Sequence, residues 1–155
     1  MEFDELMEQF AEKYGVKGMT IEDGGVALEI DGAVFAFLHD PEAGLLTVVA
    51  DLGQQSVDAN GPFGEMMLQA NFLFRSTRGA TLCQNPDGKS FGLQQQYRLV
   101  YLDVDTLAAE VEKLANAADE WRAVLSGVRT AEEALETRRS EDAAASRFAG
   151  DFIRV

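Results

Sequence analysis

Cysteine, histidine and basic residues are scarce in this sequence. Its 155 residues include one Cys and one His, and 13 Lys and Arg stand against 27 Asp and Glu, for a formal net charge of −14. A single Cys excludes an internal disulfide and a multi-cysteine zinc site. The shortage of positive charge excludes nucleic acid and anionic membranes as expected partners, because both are bound through Lys and Arg. A basic or amphipathic polypeptide is the partner that the charge favours.

Long apolar runs are also absent. The longest nearly continuous one, residues 44–50, is far shorter than a membrane span. The opening Met1-Glu2-Phe3-Asp4-Glu5 has neither the basic region nor the apolar stretch of a signal peptide, so we expect a cytoplasmic protein. A chain of this length is expected to fold around one sizeable core without help from disulfides or metals.

The residues that could support catalysis are few and scattered. His39 stands alone at the end of a predicted strand, and Cys83 lies in a strand-like run where we expect a small buried thiol. The run Gly61-Pro62-Phe63-Gly64 lies at the start of a predicted helix, but the Gly-Lys-Ser/Thr of a phosphate-binding loop is missing. We therefore expect no enzymatic reaction, no cofactor and no metal.

The negative charge is concentrated in the first four-fifths of the chain. Residues 1–126 contain 21 acidic and 8 basic residues, whereas residues 127–155 contain 6 and 5. This division predicts an anionic folded domain over residues 1–126 and a nearly neutral C-terminal extension over residues 127–155.

Three segments have the apolar periodicity of amphipathic helices. They span residues 2–14, Pro62 to about Phe74, and Asp103 or Asp105 to about Leu125. The first carries apolar residues at i, i+3, i+4 and i+7, namely Phe3, Leu6, Met7 and Phe10. The second is opened by Asn60-Gly61, and Pro62 suits a first helical turn.

The segments between the helices predict antiparallel strands. These are Met19–Glu22, Val26–Ile30, Ala33–His39, Leu45–Leu52, Ala80–Gln84 and Phe91–Leu102. Asp31-Gly32 is the strongest hairpin signal in the chain. The predicted fold class is α+β: an antiparallel twisted sheet of five or six strands with three helices, in the order α-β-β-β(-β)-α-β-β-α, plus a partly helical extension.

Several predicted strands are apolar on both faces. In Ala33–His39, Phe35 and Phe37 point to one side, and Val34, Ala36 and Leu38 point to the other. An antiparallel sheet with one wet face would alternate apolar and polar residues instead. The second face therefore needs a cover, either a second subunit, a bound polypeptide, or a helix or tail of the same chain.

Two motifs and one helix make the chain recognisable. The first motif is Gly64-Glu65-Met66-Met67-Leu68-Gln69-Ala70-Asn71, and the second is Gly79-Ala80-Thr81-Leu82. A late acidic helix containing Trp121 follows them. With these features the chain resembles class I type III secretion chaperones, the Tir-chaperone-like family, over roughly Met1 to Leu125. The resemblance implies a cytoplasmic homodimer without catalytic activity.

What such a dimer would bind is also implied by the resemblance. The expected client is the N-terminal segment of a secreted effector, which the chaperone keeps soluble and competent for secretion; the secretion ATPase is a further expected partner. The alternative is a regulatory protein on the same fold that sequesters a transcription regulator or another secretion component.

The resemblance also implies two groups of site residues. Those facing the effector would be Phe3, Leu6, Met7, Phe10, Phe35, Phe37 and Val48. Those at the dimer interface would be Met66, Met67, Ala70, Asn71, Phe74, Leu82 and Leu93. Which sheet face binds stays open, and packing within the chain's own core is the alternative for the first-helix residues and for Met66 and Met67.

The C-terminal extension departs from the family pattern, since members often stop soon after the long helix. Thr130 to about Arg138 predicts a further helix with a capping-box-like start. The last residues include Phe148, Phe152, Ile153 and Val155, whereas disordered tails have few such side chains. We therefore expect this end to dock on an apolar groove of the folded domain or of a partner subunit, with a frayed tail as the alternative.

Overall fold

The computed structural model describes residues 1–54 and 62–126, where three helices accompany a five-stranded antiparallel sheet. In chain order the elements are α1 Phe3–Lys13, β1 Gly25–Ile30, β2 Ala33–Asp40, β3 Leu45–Gln54, α2 Pro62–Ala70, β4 Thr81–Gln84, β5 Ser90–Arg98 and α3 Val104–Leu125. The predicted α+β fold is confirmed, with five strands in this part of the chain. Asn60-Gly61 and the extension 127–155, including its predicted helix and docking end, lie outside the described residues.

The sheet has the strand order β1-β2-β3-β5-β4, and every neighbouring pair is antiparallel. Asp31 and Gly32 form the predicted two-residue hairpin between β1 and β2. Both have positive φ, 51° and 79°, which this turn requires and which Asp-Gly readily supplies. After β3 the chain passes through α2 and returns first as β4, at the edge of the sheet, and then as β5, between β3 and β4. Strands β1 and β4 are therefore the two edges of the sheet.

Helices α1 and α3 cover one face of the sheet, which we call the inner face. Phe10 of α1 packs against Phe37 of β2 with ring centroids 5.3 Å apart, while α3 lies against β3 and β5. Lys13 at the end of α1 is paired with Asp105 at the start of α3, at 2.7 Å. The two helices therefore act as one layer over the inner face.

Both ends of α3 are held by named hydrogen bonds. At its start, the Asp103 carboxylate accepts from the backbone N–H of Thr106 at 2.7 Å, and this bond lowers the pKa of Asp103. Near its end, Trp121 Nε1 donates to the carbonyl of Ser76 at 3.0 Å. The C-terminal end of α3 thus lies beside the segment that follows α2.

Among the helices of the described part, none combines the length and apolar character that a membrane crossing requires.

Three elements are shorter in the structure than the sequence predicted. Met19–Glu22 forms only an isolated bridge between Glu22 and Gly25. Helix α2 ends at Ala70 and is followed by a 3₁₀ turn, Phe72–Phe74, in which Leu73 and Phe74 have positive φ and cannot continue an α-helix. Strand β5 ends at Arg98, because Leu99–Tyr101 turns as a 3₁₀ helix towards α3.

Asn71 connects the end of α2 to the edge strand β4. Its amide nitrogen Nδ2 donates to the carbonyl of Leu82 at 3.1 Å, and its Oδ1 accepts from the N–H of Leu82 at 2.8 Å. One amide side chain therefore satisfies both backbone groups of a strand residue, and does so from within the same chain.

We predict that Asn71→Ala destabilises the fold, because it leaves both backbone groups of Leu82 without their partner in a partly buried site. The free energy of unfolding should fall by about 1–3 kcal/mol, measured by urea denaturation at fixed protein concentration. Asn116→Ala, at an exposed position of α3, is the matched control and should change little. An equal loss in both variants would contradict the assigned role of Asn71.

Candidate protein-interaction surfaces

The outer face of the sheet, opposite α1 and α3, is apolar and accessible along β1–β3. Val34 and Leu38 are 40% and 50% exposed, so no element of the described chain covers them. Strand pairing sets Ala36 opposite Val49 and Leu38 opposite Thr47, so the apolar residues of the three strands lie side by side around one hydroxyl group. We call this surface the open face; it consists of Ala27, Val34, Ala36, Leu38, Leu45 and Val49.

Gly92 lets β3 and β4 side chains approach each other beside the open face. A Cβ at this position would lie 2.9 Å from Cγ1 of Val49 and 3.2 Å from Sγ of Cys83. Cys83 is half-buried here, not fully buried as expected, and its thiol donates to the Gly92 carbonyl at 3.4 Å. Burial raises the pKa of the Cys83 thiol above its usual value.

The end of α2 provides a second accessible apolar surface. Leu68, Phe72, Leu73 and Phe74 are 75%, 56%, 42% and 49% exposed, and we call these four residues the α2 patch. Leu73 and Phe74 have φ of 58° and 55°, a conformation that costs about 1–3 kcal/mol for each such residue. Exposed, strained aromatic and aliphatic side chains are typical of an interaction site.

Ion pairs also join charged side chains of the described residues. They join Lys13 to Asp105, Arg78 to Glu120, Lys113 to Glu110 and Arg122 to Asp119. All lie at the molecular surface, where such pairs contribute little to stability. The lone His39 stacks on Phe3, with centroids 5.0 Å apart. Within residues 1–54 and 62–126, no group of His, Cys, Asp and Glu side chains is placed to hold a metal ion.

The seven residues predicted to face an effector lie in the core of the chain. Each is at most 3% exposed: Phe3, Leu6, Met7, Phe10, Phe35, Phe37 and Val48. They pack on the inner face beneath α1 and α3, which is the alternative that the sequence left open. Their effector-facing role stays a prediction, and one that requires the core to open, because no polypeptide can reach them in this conformation.

The residues predicted for a dimer interface divide between the core and the surface. Met66, Met67, Ala70, Leu82 and Leu93 are buried within the chain. Asn71 is half-buried and bonded to Leu82, and only Phe74 of the predicted set belongs to the α2 patch. Sequence reasoning missed Leu68, Phe72 and Leu73, because they fall outside the apolar stripe that defines the helix.

The comparisons with known proteins agree with this architecture. Residues 5–122 match the model of the Tir chaperone protein (CesT) family. A chain of the HopA1–SchA chaperone–effector complex is similar with a TM-score of 0.62 and 19% identity, over 77% of this chain and 92% of that one. No curated protein matches the chain by sequence.

Two further solved structures share the fold. A chain of the ExsC–ExsE complex has a TM-score of 0.67 and 18% identity, over 79% of this chain and 92% of that one. The Yersinia pestis type III secretion chaperone SycH, in complex with a stable fragment of YscM2, gives a TM-score of 0.58 at 18% identity, over 77% and 98%. Likeness at such low identity establishes the fold alone.

We predict that Cys83 reacts slowly with iodoacetamide, because only its thiolate is nucleophilic and burial raises its pKa. The rate should rise at higher pH than it does for the same chain unfolded in urea. Cys83 is the one Cys of the sequence, so the labelled fraction reports this site alone. Equal pH profiles for folded and unfolded chains would contradict its half-buried position.

Proposed function

The chain belongs to the Tir chaperone protein (CesT) family, and from this premise we propose that it is a cytoplasmic type III secretion chaperone that binds the N-terminal segment of a secreted effector. It would keep that segment soluble and competent for export, and it would carry out no reaction of its own. A second copy of the chain and the secretion ATPase are the further partners in this proposal.

The open face is the observation that carries the proposal. Fully burying one Val or Leu side chain contributes about 1.5–3 kcal/mol, and this face presents Val34 and Leu38 with their apolar neighbours to solvent. A bound polypeptide would bury them without disturbing the inner face. The client therefore has a binding surface that does not require the core residues to become accessible.

The edge strand β1 extends this surface with backbone groups. From Val26 to Ile30 no segment of the described chain pairs with its free side. An extended client could add there as a sixth strand, because peptide N–H and C=O groups pair with an exposed sheet edge while alternate side chains select the sequence. Its outward side chains would continue the open face beyond Ala27.

The α2 patch is the surface that we assign to the second copy of the chain. Its apolar side chains are followed directly by Arg75 and by Arg78, which is paired with Glu120. Two copies of so acidic a protein repel each other, and the repulsion is weaker where basic residues offset part of the acidic charge. Contact at this patch would also bury the strained Leu73 and Phe74.

The open face has the opposite electrostatic surroundings. Glu29 and Asp51 lie on the same side of the sheet, where Arg98 of β5, opposite Leu45, is the one basic residue of the five described strands. A client with basic and apolar side chains therefore fits this face better than another copy of the chain does.

We predict that Leu38→Asp weakens client binding. Because it places a charge in the centre of the open face, retention of the client from the native cytoplasm should fall by ~10-fold or more, measured by pull-down with mass spectrometry. Val100→Asp is the matched control: Val100 is an exposed apolar residue outside both surfaces, and the variant should bind normally. The retained protein also separates the two functions, because an effector supports our proposal and a regulator supports the alternative.

We further predict that Phe72→Asp combined with Phe74→Asp converts a dimer into a monomer. Light scattering of the wild-type chain should give twice the mass of 16.9 kDa, and that of the double variant one such mass. Leu38→Asp should remain dimeric. A monomeric wild-type chain at micromolar concentration would overturn the assignment of the α2 patch.

A further inference from the structure

A cleft between α1 and the following loop combines an apolar floor with an acidic rim. It encloses about 620 Å³. Ala11, Val16, Met19 and Ile21 form its apolar part, and the last three are only partly buried. The cleft lies on the solvent side of α1, separate from the open face and from the α2 patch. Val16, Met19 and Ile21 pack against the edge of the core with one side and keep the other side accessible in the cleft, which makes it a third accessible apolar surface.

The rim of this cleft lacks compensating positive charge. Asp4, Glu8 and Glu12 succeed one another at four-residue spacing on α1, so they stand on one side of the helix about 6 Å apart along its axis. No ion pair within residues 1–54 and 62–126 includes any of the three. Among the described residues that line the cleft, Lys17 is the one cation. An occupant must therefore offer large apolar side chains together with positive charge.

Residues 147–155 of the same chain have this composition. Arg147 and Arg154 accompany four large apolar residues, Phe148, Phe152, Ile153 and Val155, with Asp151 as the only acid. In residues 1–126, acids outnumber bases 21 to 8. The guanidinium groups match the rim carboxylates, and the apolar side chains match the floor.

The chain between α3 and this segment is long enough. Lys13, which ends α1, contacts the start of α3 through Asp105, so the other end of α3 lies a helix length away, about 33 Å for 22 residues. Residues 127–146 can span up to ~66 Å when extended, at about 3.3 Å per residue. The segment can therefore return along α3 to the cleft.

We propose that residues 147–155 dock into the cleft of their own chain, with Arg147 and Arg154 on the rim of Asp4, Glu8 and Glu12 and the Phe side chains on the floor. The extension thereby covers part of α1 that the domain leaves open. The proposal does not depend on an effector, since the occupant is present in every copy of the protein.

Methionine methyl NMR of the full-length chain tests this docking. Met19 lies on the cleft floor, whereas Met7 lies in the core, so one spectrum contains both the probe and its internal reference. Phe148→Asp with Phe152→Asp should shift the Met19 methyl signal and leave Met7 unchanged, because the docked population should fall at least ~10-fold. Leu135→Asp, the same kind of change elsewhere in the extension, should shift neither.

Reversal of the rim charge provides an independent test from the other side. Glu8→Lys with Glu12→Lys should move the Met19 signal in the full-length chain, and adding Phe148→Asp and Phe152→Asp should then cause no further loss of docking. Glu5→Lys, on α1 but outside the cleft, is the control. If the Met19 signal does not change when the two Phe residues are substituted, the proposal is overturned. A change in the Met19 signal that appears only as the protein concentration rises also overturns the proposal, because it assigns the cleft to a second copy of the chain.

Discussion

Burial of the inner face of the sheet by α1 and α3 is the interaction on which the rest of this structure depends. Phe35, Phe37 and Val48 turn towards the helices, and strand geometry then forces Val34, Ala36 and Leu38 to the opposite side. Because the β2 and β3 residues are apolar in both directions, covering one face leaves the other in contact with water. An accessible apolar face is thus a consequence of packing the core.

The α2 segment shows the same relation on a smaller scale. Met66, Met67 and Ala70 pack into the core, and Asn71 fixes the helix end to β4. With these contacts made, the chain turns through Leu73 and Phe74 in a strained conformation that leaves their side chains outside. The contacts that stabilise α2 within the chain therefore also determine which apolar groups remain for another molecule.

Periodicity and turn chemistry predicted most of the fold. The 3.6-residue pattern located α1 and α3, and Asp31-Gly32 located the β1–β2 hairpin, because these signals are local. The family resemblance is confirmed by the match over residues 5–122. Features that do not follow from a local pattern were harder to predict. The end of α2, for example, depends on the backbone conformations of Leu73 and Phe74, which no apolar stripe encodes.

The candidate site was less predictable than the fold. A strand that is apolar on both sides has no pattern that distinguishes its buried face from its accessible face, so the sequence left the choice between Phe35 and Phe37 on one side and Val34 and Leu38 on the other open. Side-chain size was the signal available, since the larger Phe rings fill the space beneath α1, whereas the smaller residues line the open face. The resemblance supplied a function but no choice of face.

Exposed apolar surfaces connect the stability of this chain to its partners. A partner that binds only the folded chain stabilises it by about 2.7 kcal/mol at a hundredfold excess over its Kd, a sizeable share of the 5–15 kcal/mol that is typical of a folded domain. The open face and the α2 patch lie on elements that also build the core, so occupants at either one would hold β2 and α2 in place. For a protein with these surfaces, partner binding therefore raises the free energy of unfolding, and a loss of folding stability weakens partner binding.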